Sequence, residues 1–217
     1  MDITIFPSPL CGSITAIPSK SQAHRLLICA AFADNNTKII CPFGSKDIEA
    51  TVSCLNAIGA NIVKTEYGYF VEPISAPPSE ATLDCGESGS TLRFMLPIAA
   101  SLGINATFIM CGRLPQRPLS PLWEELERMG CKLSRPSENT IFCQGRLKSG
   151  IYHIDGNISS QFITGLLFAL NLLPGNSQLN ISGKIESKPY IDMTLDVLKS
   201  FGIETEFTEK TGELDGM

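Results

Sequence analysis

Two sets of landmarks recur along this 217-residue chain at nearly the same interval, and they restrict its fold more than any other feature. Glycines that close helix-like runs stand at Gly59, Gly130 and Gly202, 71 and 72 residues apart. Serines that lead into the more apolar runs stand at Ser21, Ser90 and Ser160, 69 and 70 residues apart. Agreement at independent landmarks predicts three copies of one supersecondary unit.

The second copy is the fullest: a strand over 81–85, a helix over 91–102, a strand over 106–111, a helix over 119–129, and strands over 131–134 and 140–144. The first reads as a strand over 3–6, a helix from Ser19 to about residue 33, a strand over 37–42, a helix over 45–58 and a hairpin over 61–65 and 68–72. The third reads as strands over 152–154 and 178–182, helices over 160–173 and 190–201, and a last strand over 203–207. Each is a βαβαββ unit, over 19–75, 76–146 and 147–217, within one domain. The leading helix of each unit is apolar on nearly every face, so it is expected to be buried, whereas the second helices carry a polar stripe. The fold class is therefore α/β in the α+β sense: an α-β prism with parallel helices inside and sheets outside. Parallel inner helices would bring their N-termini, and the positive ends of their dipoles, to one place.

Composition narrows the partners. The hydrophobic content of 43% supports a sizeable core, and a net charge of −5 argues against nucleic acid or an anionic membrane surface as partner. The longest apolar run, 162–173, is interrupted by Thr164, Gly165 and Asn171, so no membrane span is expected. Eight scattered cysteines without a C-x-x-C pair, and no secretory signal, point to buried free thiols and a cytoplasmic location, with no metal site and no cofactor.

The segments before the inner helices are rich in donors. They read Ser19-Lys20-Ser21 with Arg25 one turn on, Gly86-Glu87-Ser88-Gly89-Ser90 with Arg93 one turn on, and Asn157-Ile158-Ser159-Ser160-Gln161. Free backbone N–H groups, hydroxyls and cations together outline an anion site. The alternative is a set of ordinary capped helices with solvated cations, and Glu87 favours it, since a carboxylate repels a phosphate. The spacing is not that of a Walker loop. Two proline-stiffened loops, Gly112-Arg113-Leu114-Pro115-Gln116-Arg117-Pro118 and Gly183 through Ser187-Lys188-Pro189-Tyr190, precede the second helices and place Arg117, Ser187 and Tyr190 near helix starts. For Lys46, Arg113 and Lys188 simple helix starting suffices. His24 and His153 lack a nucleophile or carboxylate signature and receive no catalytic role.

In this order, Pro18-Ser19-Lys20-Ser21-x-x-x-Arg25, Gly89-Ser90-x-x-Arg93, Arg113-Leu114-x-x-Arg117-Pro118, Ser159-Ser160-Gln161-Phe162 and Ser187-Lys188-Pro189-Tyr190-Ile191-Asp192-Met193-Thr194 resemble the EPSP synthase (3-phosphoshikimate 1-carboxyvinyltransferase) family over about residues 3–207. The resemblance implies a transferase of the shikimate pathway, in aromatic amino-acid biosynthesis. It moves the enolpyruvyl group of phosphoenolpyruvate onto the 5-hydroxyl of shikimate 3-phosphate and needs no metal. Glyphosate is an inhibitor associated with the family; Gly89 leaves that loop uncrowded, which is compatible with inhibitor entry, while Glu87 would offset it. The family fold has two similar domains of three such units each. This chain corresponds to the N-terminal one, with the C-terminal domain of the same enzyme as the missing partner and 1–17 belonging to the interface with it.

Carried over by position, Ser21 and Arg25 would hold the shikimate carboxylate, and Ser159, Ser160 and Ser187 its 3-phosphate. Gln161 would lie against the ring and reach phosphoenolpyruvate, while Tyr190 would close the pocket. Lys20 would stand between both substrates as the catalytic residue, and Gly89 with Arg117 would bind phosphoenolpyruvate. Three positions depart from the family pattern: Glu87 replaces a usual Asn, Ser90 a usual Thr and Phe94 a usual Pro. The expectation is a half that binds shikimate 3-phosphate and is inactive alone. The alternatives are a UDP-N-acetylglucosamine enolpyruvyl transferase and a non-catalytic phosphate-binding module.

Overall fold

The computed structural model describes residues 3–4, 6–9 and 11–206. The first unit comprises α1 (Lys20–Ala31), β1 (Thr37–Ile40), α2 (Lys46–Ala57), β2 (Asn61–Thr65) and β3 (Gly68–Glu72). The second comprises β4 (Glu80–Asp84), α3 (Gly89–Leu102), β5 (Asn105–Ile109), a 3-10 turn at Leu114–Gln116, α4 (Leu122–Arg128), β6 (Cys131–Ser137) and β7 (Thr140–Gly145). The third comprises β8 (Ile151–Asp155), α5 (Ser160–Leu170), β9 (Gln178–Ser182) and α6 (Lys188–Ser200).

The described residues form three sheets, ordered β1-β3-β2, β4-β5-β7-β6 and β8-β9. Their pairings repeat in kind. The parallel pair β4·β5 has its counterpart in β8·β9, and the antiparallel pairs β5·β7 and β6·β7 have theirs in β1·β3 and β2·β3. Alternation along each strand buries one face: Tyr69 and Val71 on β3, Ala106 and Phe108 on β5, Ile141 and Cys143 on β7, and Tyr152 and Ile154 on β8. These faces cover a helical interior, so the sheets lie outside and the leading helices inside. Among the described residues no helix is long and apolar enough to cross a membrane. The eight cysteines are free thiols, six of them buried.

Inside, α3 and α5 lie side by side and parallel. Ser90 meets Gln161, Arg93 and Pro97 flank Gly165, and Phe94 packs edge-on against Phe168 at 5.9 Å, so contacts advance in the same direction on both helices. Gly165 allows the close approach: a Cβ there would collide with the Arg93 carbonyl oxygen and stand 3.0 Å from Pro97 Cγ. His24 of α1 reaches the same cluster, its ring 6.2 Å from that of Phe94.

Serines cap four helices by accepting a backbone N–H two or three residues on: Ser19 from Gln22, Ser45 from Ile48, Ser88 from Thr91 and Ser159 from Gln161. The inner caps are thus Ser19, Ser88 and Ser159, 69 and 71 residues apart. Ser90 lies inside the first turn of α3, because the extended backbone of Ser88 starts the helix two residues earlier than the sequence suggests. Helix α4 begins at Leu122 instead of 119, after Pro118 and Pro121, neither of which has an N–H to donate.

Two expected strands are corrected. Ile3, Thr4 and Phe6 form no strand, and Ile5 lies outside the described residues; Ile3 and Phe6 are each 80% exposed, with no neighbouring strand to take their backbone bonds. Residues 203–206 are likewise not in a strand, and Phe207 lies outside the described residues. All six elements of the unit are therefore seen only in the second copy among the described residues.

Candidate functional site

The first two turns of α1, α2, α3, α5 and α6 meet at one end of the helical interior, joined by side-chain hydrogen bonds. Arg25 is the hub of one half. Its Nε donates to Thr194 Oγ1 (2.8 Å), one Nη to the Ser21 carbonyl (2.7 Å), and the other to the Tyr190 carbonyl (2.9 Å) and Thr164 Oγ1 (3.3 Å). The guanidinium lies 5.5 Å from the centre of the Phe94 ring and 6.0 Å from that of Tyr190, and the residue is 2% exposed. Burial lowers its pKa to about 10, against the opposing influence of Tyr190 and Cys29, so it stays charged at neutral pH. Four of its five N–H groups are spent on the protein.

Arg93 is the hub of the other half, one turn into α3. One Nη donates to Gln161 Oε1 (3.0 Å) and more weakly to the Gly89 carbonyl (3.4 Å), and the other to the Pro118 carbonyl (3.1 Å). Gln161 in turn donates to Ser90 Oγ (3.1 Å). Burial, and secondarily the neighbouring Arg117, lower the Arg93 pKa to about 10. Arg117 lies over the start of α3: a Cβ on Gly89 would stand 2.6 Å from Arg93 Nη1, 2.9 Å from Arg117 Cζ and closer still to Arg117 Nη1. Two guanidinium groups thus flank the hydrogens of a single glycine at a helix N-terminus.

Among the described residues neither Arg25 nor Arg93 has a carboxylate partner, and the Nε of Arg93 has no hydrogen-bond partner. Unpaired buried cations are costly, several kcal/mol each in order of magnitude. A cluster of helix starts that carries two of them, together with the positive ends of several helix dipoles, is strongly electropositive.

Ser21, Arg25 and Tyr190 share one cluster, whereas Gly89, Arg117 and Gln161 share the other. Ser159 and Ser160 stand at the start of α5, next to Gln161 and half-buried or buried. Ser187 precedes α6 with φ 57° and ψ 39°, the only positive φ outside glycine among the described residues, and its carbonyl accepts the Tyr190 N–H at 3.0 Å. Lys20 opens α1 and is held by the Asp47 carboxylate at 2.5 Å. Glu87, the awkward charge in the loop before α3, is turned aside. Its carboxylate covers Gly112, whose φ of +57° and missing side chain leave room for it, and accepts the Arg113 N–H (3.3 Å).

Thr164, Thr194, Asp47 and the hub role of Arg93 went unassigned in the sequence. The signal was faint but present, since Thr164 and Thr194 are hydroxyls inside helical segments and both are fully buried. A buried hydroxyl there implies a polar partner, here Arg25.

The EPSP synthase (3-phosphoshikimate 1-carboxyvinyltransferase) family model matches residues 6–216. A 3-phosphoshikimate 1-carboxyvinyltransferase of Clostridium beijerinckii is 43% identical over 213 residues, spanning 94% of this chain and 49% of its own. One of Clostridium perfringens is 42% identical over 205 residues, spanning 93% and 48%. The solved EPSP synthase of Acinetobacter baumannii has the same fold, with a TM-score of 0.74 at 20% identity over 91% of this chain and 45% of that one. The chain spans about half the length of the curated relatives it matches. With a family match running through nearly all of its residues and the expected helix starts gathered at one end of the helical interior, the chain belongs to the EPSP synthase family.

Proposed function

We propose that this chain is the half of a 3-phosphoshikimate 1-carboxyvinyltransferase that receives shikimate 3-phosphate and part of the phosphoenolpyruvate molecule, acting with a second domain that supplies the other wall of the cleft. The observation that carries the reading is the pair of buried, carboxylate-free arginines at the meeting point of the helix starts. Both substrates are multiply anionic, and each charge-assisted bond to them is worth about 1.5–3 kcal/mol.

In this reading Ser21 and the unspent N–H of Arg25 take the shikimate carboxylate. Ser159, Ser160 and Ser187 take the 3-phosphate, Gln161 lies against the ring, and Tyr190 closes the carboxylate end. Gly89, Arg117, Gln161 and Lys20 take phosphoenolpyruvate. Lys20 stands between the two substrates, neutralising charge as the 5-hydroxyl meets the enol carbon. Holding two anions side by side in reacting geometry is the main contribution of this half. The pocket is proposed to work without metal or cofactor.

Titration calorimetry tests the reading. Shikimate 3-phosphate should release heat with this chain, about tenfold weaker with Ser160→Ala or Ser187→Ala. Mixing with the C-terminal half of a family member should restore turnover. No heat with native protein, or native affinity in both variants, refutes the assignment.

A further inference from the structure

We infer that Asp47 is a positioning residue, holding the ammonium of Lys20 at the first turn of α2, which is itself tied to the first turn of α3. Its carboxylate meets Lys20 Nζ at 2.5 Å, tying the first turn of α2 to the first residue of α1. Its backbone carbonyl accepts the Thr91 hydroxyl at 3.3 Å, and the Thr91 N–H donates to Ser88 Oγ, the cap of α3. One residue therefore links the lysine to the turn that carries Gly89.

The link is braced from behind. Thr51 Oγ1 lies 2.7 Å from Thr91 Oγ1, and His24 Nδ1 lies 2.7 Å from Thr51 Oγ1, with Ser88 Oγ 2.7 Å beyond Thr91. His24, Thr51, Ser88 and Thr91 are all at most 2% exposed, so water does not compete for these bonds. Asp47 itself sits in the first turn of α2, where a carboxylate is favoured by the helix dipole.

A carboxylate at an anion pocket needs a reason, because it repels the ligand. Lys20 has a half-exposed side chain, and a free lysine carries about 2 kcal/mol of rotamer entropy. A fixed partner removes that cost before the ligand arrives. The two possible roles of Asp47 predict opposite signs. If it only neutralises Lys20, removing it leaves a fuller cation, and the loss of Lys20 then costs more. If it positions Lys20, removing it leaves a disordered cation, and the loss of Lys20 costs less.

The inference rests on the proposed anion pocket for its ligand readout only. Shikimate 3-phosphate is titrated into native chain, Lys20→Met, Asp47→Asn and the double variant. Lys20→Met should weaken binding about tenfold in the native background and about twofold or less in the Asp47→Asn background, with Asp47→Glu restoring the larger effect. Without ligand, a 1H–15N spectrum in the cold should contain a slowly exchanging Lys20 ammonium signal, identified by its loss in Lys20→Met. That signal should vanish in Asp47→Asn and return in Asp47→Glu. An equal or larger cost of Lys20→Met without Asp47, or an ammonium signal indifferent to Asp47→Asn, overturns the assignment. If native chain takes up no shikimate 3-phosphate, the proposed function fails while the ammonium signal still decides the role of Asp47.

Discussion

Gly89→Ala is the perturbation that separates pocket from fold. Gly89 is the first residue of α3, with a φ outside the left-handed region, so alanine accepts its backbone and gains up to about 1 kcal/mol of helix propensity. The added methyl collides with two guanidinium groups. Arg93 is 4% exposed and fastened to Gln161 and the Pro118 carbonyl, so its Nη1, 2.6 Å from the added methyl, retreats by only a few tenths of an ångström and at some cost. Arg117 is exposed and yields. Carbon and nitrogen atoms need about 3.5 Å between them, which pushes Arg117 outward by roughly 1 Å. A charge-assisted bond of about 2.8 Å does not survive that shift, and its loss amounts to about 1.5–3 kcal/mol, or ~10–150-fold in affinity. In enzyme assembled with a complementing second half, KM for phosphoenolpyruvate should rise by that factor. KM for shikimate 3-phosphate should change less than about threefold, since its proposed ligands lie on α1, α5 and α6. The melting temperature of the chain should change little, the helix-propensity gain offsetting the cost of shifting two guanidinium tips. An unchanged KM for phosphoenolpyruvate refutes the placement of Arg117, and a clear fall in melting temperature refutes the claim that only side chains move.

Gly165→Ala should behave in the opposite way, because its methyl meets the Arg93 carbonyl in the backbone of α3. Separating two packed helices should cost about 2–4 kcal/mol in urea unfolding, and an unchanged midpoint would count against the close approach. Ser187→Gly should raise stability by about 1 kcal/mol by relieving the left-handed backbone while weakening shikimate 3-phosphate. Ser187→Ala should weaken binding without the gain, and equal melting temperatures for the two variants would deny the strain. Burial lowers the His24 pKa from 6.5 to about 4, with Asp47 opposing the shift. The unfolded chain takes up the proton first, so this contribution to stability is full above pH 6.5 and falls by about 1.4 kcal/mol per pH unit to near pH 4, about 3 kcal/mol in all. Urea midpoints of native and His24→Asn protein between pH 7 and pH 4 should converge on acidification, and parallel curves would rule the effect out.

Periodic features were legible because they are local. The hairpin over 61–65 and 68–72 and the strand over 178–182 match the observed β2, β3 and β9 to the residue, since turn chemistry and alternation define their ends. Choosing between Ser88 and Ser90 as cap was not legible, because either hydroxyl can reach a backbone N–H and the tertiary position of α3 decides. Strand pairing was not legible either: Ile3 to Phe6 alternates like a strand, but alternation does not create a neighbour. In the site, the serines and Arg117 stood out through their place before helix starts. Asp47, Thr164 and Thr194 did not, because their partners Lys20 and Arg25 lie on another helix and are far away in sequence.

Packing helix starts together has an energetic consequence for the whole chain. Dipoles lying side by side in the same sense repel, and here that repulsion adds to the self-energy of Arg25 and Arg93. The fold thus carries electrostatic tension at one end. An anion bound as proposed would relieve it, so ligand and core would cooperate: occupancy stabilises a folded state by RT ln(1 + [L]/Kd), about 2.7 kcal/mol at one hundred times Kd. Under the proposed function, folding strength and substrate supply are in this way linked through one patch of positive charge.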